Sequence, residues 1–145
     1  MRYTALFLLP LVASCAMVEQ MESPSTTETP AAITAPPPPP TARTVEDFDT
    51  TSAAERAAAA APSSSGQRLG TTIASLGDPA RPGFWIMTDL VSAEASGRIE
   101  YPEKGTSAEV TLIPAAGGSS RVSLAALRLL EAPLADLSEL VVYSN

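Results

Sequence analysis

Hydrophobic and polar positions change rhythm several times along the chain. Ala5 to Ala13 is a short, nearly unbroken apolar run preceded by one cation, Arg2. Residues 16–65 carry no sustained period. From Gly66 on, apolar segments recur between turn signals, and their period is two. Arg68 to Leu76 alternates, with Thr71, Thr72 and Ile73 suited to a strand, and Gly77-Asp78-Pro79 ends it. After the breaker Pro82-Gly83, Phe84 to Val91 reads as a second strand, Phe84, Ile86, Thr88 and Leu90 facing one way. Gly97 to Tyr101 is a third, stopped by Pro102 and turned by Lys104-Gly105. Ala108 to Ile113 is a fourth, setting Ala108, Val110 and Leu112 against Glu109, Thr111 and Ile113; Pro114 to Ser119 is a loop. The period then lengthens to about 3.6. Ser123 is placed to cap a helix from Leu124 to Glu131 with Leu124, Leu127 and Leu130 on one face. Ala132-Pro133 closes it, and Leu140 to Tyr143 is a last apolar strand.

The pattern predicts a mainly β fold for residues 66–145: a small β-barrel or curled sheet with one short helix. It follows a disordered Pro/Ala/Thr-rich tether. Residues 16–65 hold one aromatic, Phe48, and offer too little apolar surface to offset the entropy of ordering. Pro36 to Pro40 reads as a stiff spacer about 15 Å long. Ser52-Ala53-Ala54-Glu55 fits a capping box ahead of an alanine run ended by Pro62. A helix of about ten residues is marginal in water without packing, so a transient helix is expected there.

Composition narrows the chemistry. The net charge of −7 excludes the basic footprint of a nucleic-acid binder. Within residues 66–145, nine acids face six bases, so charge selects no ligand class. There is no histidine and one cysteine, which leaves neither a disulfide within one chain nor a Cys/His zinc site. No cofactor is expected.

The cysteine is the most informative residue. A positive start, a short apolar core and small residues describe a secretory signal peptide, since a bilayer span needs about 20 apolar residues. Leu11-Val12-Ala13-Ser14-Cys15 resembles the lipobox of bacterial lipoproteins, although Val12 stands where that family most often has Leu. The resemblance implies residues 1–14 as signal peptide, acylation of Cys15 (palmitate among the chains), and a membrane-anchored linker over 15–65. Ala16 after the cysteine, in place of Asp, resembles lipoproteins sorted to the outer membrane, facing the periplasm. Ordinary cleavage after Ala16, releasing a free chain, is the alternative, because Ser14 and Ala16 are also small.

The second half resembles the double-psi β-barrel of the rare lipoprotein A and expansin-like group. The features that carry it are Leu69-Gly70-Thr71, Trp85 to Leu90, Glu109 to Ile113, Arg121-Val122-Ser123-Leu124-Ala125-Ala126-Leu127 and Leu140 to Tyr143. In that family an Asp-Arg-Gly-Pro stretch and an Asp before the helix line a glycan-cleaving groove. Here those places hold Pro114 to Gly118 and Ser123, so neither carboxylate is present. Short lipoprotein-like chains catalogued under a sugar-acid dehydratase name are also similar, and no residue here supports that chemistry.

Glycoside hydrolysis needs two facing carboxylates. The acids of 66–145 fall mostly at turns and outward positions. Asp89, inside an apolar strand, is the least usual and is a weak ligand-binding candidate. Trp85, with Phe84, is a candidate glycan-stacking surface, against which stands simple core packing. Ser119, Ser120 and Ser123 lack a histidine base and suit turn and cap hydrogen bonds. The expected function is a non-catalytic envelope lipoprotein whose head binds cell-wall glycan (peptidoglycan) or an envelope protein. A degenerate or unrecognised enzyme acting on cell-wall glycan is the rival.

Overall fold

A computed structural model describes residues 35–61 and 66–145; Cys15 and residues 1–14, expected to be a signal peptide, lie outside the described residues. Two short helices come first, α1 (Val45–Phe48) and α2 (Ala53–Ala59). Strands follow: β1 (Gln67–Leu76), β2 (Trp85–Thr88), β3 (Ala95–Tyr101), β4 (Thr106–Pro114) and β5 (Ser120–Val122). Helix α3 (Leu124–Leu129) and strand β6 (Ser138–Ser144) complete the order.

The strands close into a barrel in the order β1-β5-β2-β4-β3-β6, with β6 back on β1. Two pairs are parallel, β1 with β5 and β2 with β4, and the rest antiparallel. The expected mainly β fold is therefore what the chain adopts, as a barrel.

Alternation decides which side chains go inside. Along β4, Ala108, Val110 and Leu112 are buried, while Glu109, Thr111 and Ile113 lie on the wetter face. Ile86, Ile99, Val122, Leu140 and Val142 fill the same interior, and α3 adds Ala126, Leu127 and Leu130 to it. Full burial of each such aliphatic contributes about 1.5–3 kcal/mol. At Gly97 the barrel wall has no room for a side chain. A Cβ there would lie 2.4 Å from the Tyr143 carbonyl oxygen and 2.5 Å from Leu112 Cδ1.

Three local differences from the sequence pattern have physical reasons. The strand expected over Phe84 to Val91 stops at Thr88, because Thr88 Oγ1 accepts from the Leu90 N–H (3.3 Å) and bends the chain into a turn. The helix expected to reach Glu131 ends at Leu129, closed by paired bonds from Ala132 N–H to Leu127 O (3.0 Å) and Glu131 N–H to Arg128 O (3.1 Å). Glu131 takes the left-handed position, φ +56°, that glycine usually fills in this motif. Strand β5 lies partly inside the expected loop-to-helix stretch. Three residues show no period of their own, and β5 exists through its partners β1 and β2.

The larger correction concerns the tether. Residues 35–61, expected to be disordered, form a strap laid on the barrel. Both helices carry full capping boxes, Thr44 with Asp47 and Ser52 with Glu55. The capping box at Ser52 was legible, but α2 is packed and not transient. Ala59 is buried in the core cluster, and Ala35, Ala42 and Thr51 are buried too. Alanine has little side chain to bury. Its small size instead lets the backbone come close, so surface is covered by main chain as well as by side chains. The compact unit therefore begins before Gly66.

Candidate functional site

The start of β2 and the N-terminus of α3 are locked together. Ser123 is fully buried, and its Oγ accepts from Ala126 N–H (3.3 Å) as helix cap and from Trp85 N–H (3.2 Å). The Ser123 N–H in turn donates to the Trp85 carbonyl (2.9 Å). Where the family resemblance places a carboxylate, this chain has a hydroxyl already engaged by two backbone donors.

Trp85 is a strut between this junction and the 77–83 loop. Its ring is 4% exposed, and its Nε1–H donates to the Arg81 carbonyl (3.2 Å). The Arg81 guanidinium lies 4.8 Å from the ring centroid, within cation–π reach. At the ring's far edge Gly77 comes so close that a Cβ would stand 2.4 Å from Cη2. The indole therefore presents no open face for a sugar ring, and Phe84 is buried beside it. The core-packing alternative describes both. Asp89 sits exposed on the turn after β2, away from the interior.

Hydroxyls converge inside one end of the barrel. Thr72 Oγ1 and Ser120 Oγ are 2.7 Å apart, and Ser120 Oγ donates to Thr88 Oγ1 (3.0 Å). Ser138, opposite Ala74 as Ser120 is, is also buried, and its Oγ has no hydrogen-bond partner. No ionisable side chain joins them, so no hydroxyl has a base to activate it. Sequence reasoning missed this cluster. Its one signal was polar residues at inward positions of otherwise apolar strands.

The carboxylates of the barrel lie on its outer side. Asp78, Asp89, Glu94, Glu103, Glu131, Asp136 and Glu139 are exposed. Glu100 pairs with Arg98 (3.4 Å), and Glu109 accepts from Asn145 Nδ2 (2.7 Å), both on the outer face. The Arg98 guanidinium also stacks 4.1 Å from the Tyr143 ring centroid. Tyr101 donates its phenol to Glu103, which raises the phenol's pKa above its ordinary value by favouring the bonded, protonated form. Among the described residues, no group of three metal-ligating side chains comes together.

A shallow pocket lies where the strap meets the barrel. Phe48, Asp49, Arg81 and Leu124 are among its walls, and its volume is about 10 Å³, room for about one water. Ligand pockets usually run about 300–1,000 Å³. Its one carboxylate, Asp49, is committed: the side chain is 4% exposed, 2.7 Å from Arg128 Nη1, and bonded to Thr51 N–H and Oγ1. What the arrangement provides is a closed scaffold with a polar exterior. No known protein-family model, curated protein or solved structure matches the chain.

Proposed function

We propose that this chain is a lipid-anchored envelope lipoprotein, acylated at Cys15, whose small barrel is a non-catalytic binding head for cell-wall glycan or an envelope protein. The observation that carries the head's role is that no acid of the barrel is buried in its interior: seven are exposed, and Glu100 and Glu109 lie on the outer face bonded to Arg98 and Asn145. Acid–base cleavage of a glycosidic bond needs two such groups about 5–10 Å apart on either side of the bond. The mixed parallel and antiparallel pairing of a closed barrel supports the double-psi resemblance, and the hydroxyl of Ser123 in place of an acid supports loss of cleavage. The signal segment, Cys15 and Ala16 support an anchor in the outer membrane facing the periplasm. One acyl chain anchors only marginally and several anchor stably, as lipoprotein modification would require.

Two measurements test this. Metabolic labelling with a palmitate analogue should mark the wild-type chain and leave Cys15→Ser unmarked; equal labelling dismisses the anchor. The purified Cys15→Ser chain, mixed with isolated sacculi, should sediment with them and release no sugar. Released sugar establishes the enzyme instead, and failure to sediment turns the search to a protein partner.

A further inference from the structure

The strap is bonded to itself and hardly to the barrel. Thr50 Oγ1 donates to the Pro36 carbonyl and closes the strap into a loop. Arg56 donates to Thr51 O and Oγ1, and Asp47 Oδ2 accepts from the N–H groups of Arg43 and Thr44 (both 3.1 Å). The strap's backbone bonds, such as Ala42 N–H to Pro39 O and Arg56 N–H to Ser52 O, also begin and end within it. Among the described residues no backbone hydrogen bond joins strap to barrel, and the polar contacts between them run through one side chain. Arg128 of α3 reaches Asp49 (2.7 Å) and Glu46 (3.7 Å). The strap's buried residues are small: Ala35, Ala42, Thr51 and Ala59.

Lifting such a segment breaks one ion-pair cluster and uncovers one half-buried aromatic, Phe48, besides these small residues. It strands no backbone donor or acceptor on either side. Peeling β1 from β6, by contrast, opens a ladder running from Gln67 to Ala74. Segments with few buried contacts and few bonds to the rest of a fold open well below the global unfolding free energy.

We infer that residues 35–61 are a releasable strap that opens while the barrel stays closed, and so set two lengths of leash between the head and its anchor. The leash rests on the anchor proposed at Cys15; the opening does not. With the strap seated, about 20 residues separate Cys15 from the first seated residue, Ala35, a span of at most about 70 Å. With it lifted, about 50 residues lead to β1, and the limit becomes about 180 Å. Arg128 is the latch, and added salt weakens it by screening.

The test uses the Cys15→Ser chain, which then has no other thiol, with a single reporter cysteine placed by Ala59→Cys in the strap or Leu112→Cys in the barrel. The rate of alkylation reports opening at each place. The strap reporter should react at least a hundred-fold faster than the barrel reporter. Arg128→Ala should speed the strap reporter about ten-fold and leave the barrel reporter unchanged, with Arg128→Lys between the two. Hydrogen exchange of the chain without reporters gives the same comparison free of any packing change at the cysteines. One common rate for both regions, or equal acceleration of both by Arg128→Ala, overturns the inference. Because these chains carry no lipid, that result is independent of the palmitate labelling that decides the anchor.

Discussion

Barrel and strap solve the same problem, satisfying backbone groups while covering apolar surface, in opposite ways. The barrel sends its hydrogen bonds between distant segments: β1 pairs with β5 and β6, some 50–75 residues away. Apart from the bond of Thr50 to Pro36, the strap keeps its bonds within a few residues, in turns and two capping boxes. In the barrel large aliphatics alternate inward; in the strap alanines are pressed against a surface that other residues built. A region bonded to its neighbours in space is cooperative, whereas one bonded to its neighbours in sequence can leave on its own.

The largest effect that should break the contrast is in the barrel wall. Gly97→Ala places a Cβ against the Tyr143 carbonyl and Leu112, and the carbonyl is fixed in the β3–β6 ladder. Overpacking of this kind costs about 1–3 kcal/mol. Thermal or urea denaturation should show that loss, with strap and barrel destabilised together because the strap has no surface to sit on once the barrel opens.

A smaller effect runs the other way. Glu131 holds a left-handed conformation that suits glycine. Glu131→Gly should relieve it and raise global stability by about 0.5–1 kcal/mol, after the added freedom of the unfolded chain is set against the gain. An unchanged or lowered melting temperature would show that the Glu131 side chain stabilises the helix end by a contact of its own.

The smallest effect is confined to the strap and depends on pH. The Asp47 carboxylate accepts the N–H groups of Arg43 and Thr44 and the strap is built around that turn, so its pKa lies below the ordinary carboxylate value. A lowered folded-state pKa gives stability that is present above the ordinary value and is lost as pH falls through the lowered one. Below about pH 4 the strap should therefore exchange its amides faster relative to the barrel. Asp47→Asn should flatten that dependence, and an equal acid response in strap and barrel would remove the distinction between them.

The same contrast explains what could be read from the chain. Ala108 to Ile113 and Leu140 to Tyr143 declared themselves because alternate residues face a core, and that demand is written at a spacing of two. β5 was hidden because Ser120-Arg121-Val122 is strand only by virtue of two neighbours remote in sequence. The order of the strap is hidden for a different reason. Proline and alanine lower the local signal for order, but the surface that orders them is supplied by the barrel, and no local composition reports it. Ser123 was legible as a cap; that its oxygen also holds the Trp85 N–H needs the fold. Trp85 as a strut depends on Gly77 and Arg81 arriving on opposite sides of its ring, which spacing alone does not show.

The ring of strands also sets an order of events during synthesis. β1 is made early, yet both of its partners come from residues 120–144. Until those arrive, the first ten-residue strand has nothing to pair with, and the ring stays open until the last residues of β6 are made. Pairings this distant in sequence fold slowly, so closure is a late step. A version truncated before Ser138 would not be a shorter barrel but an unclosed one, with β1 and β3 both left with a bare edge.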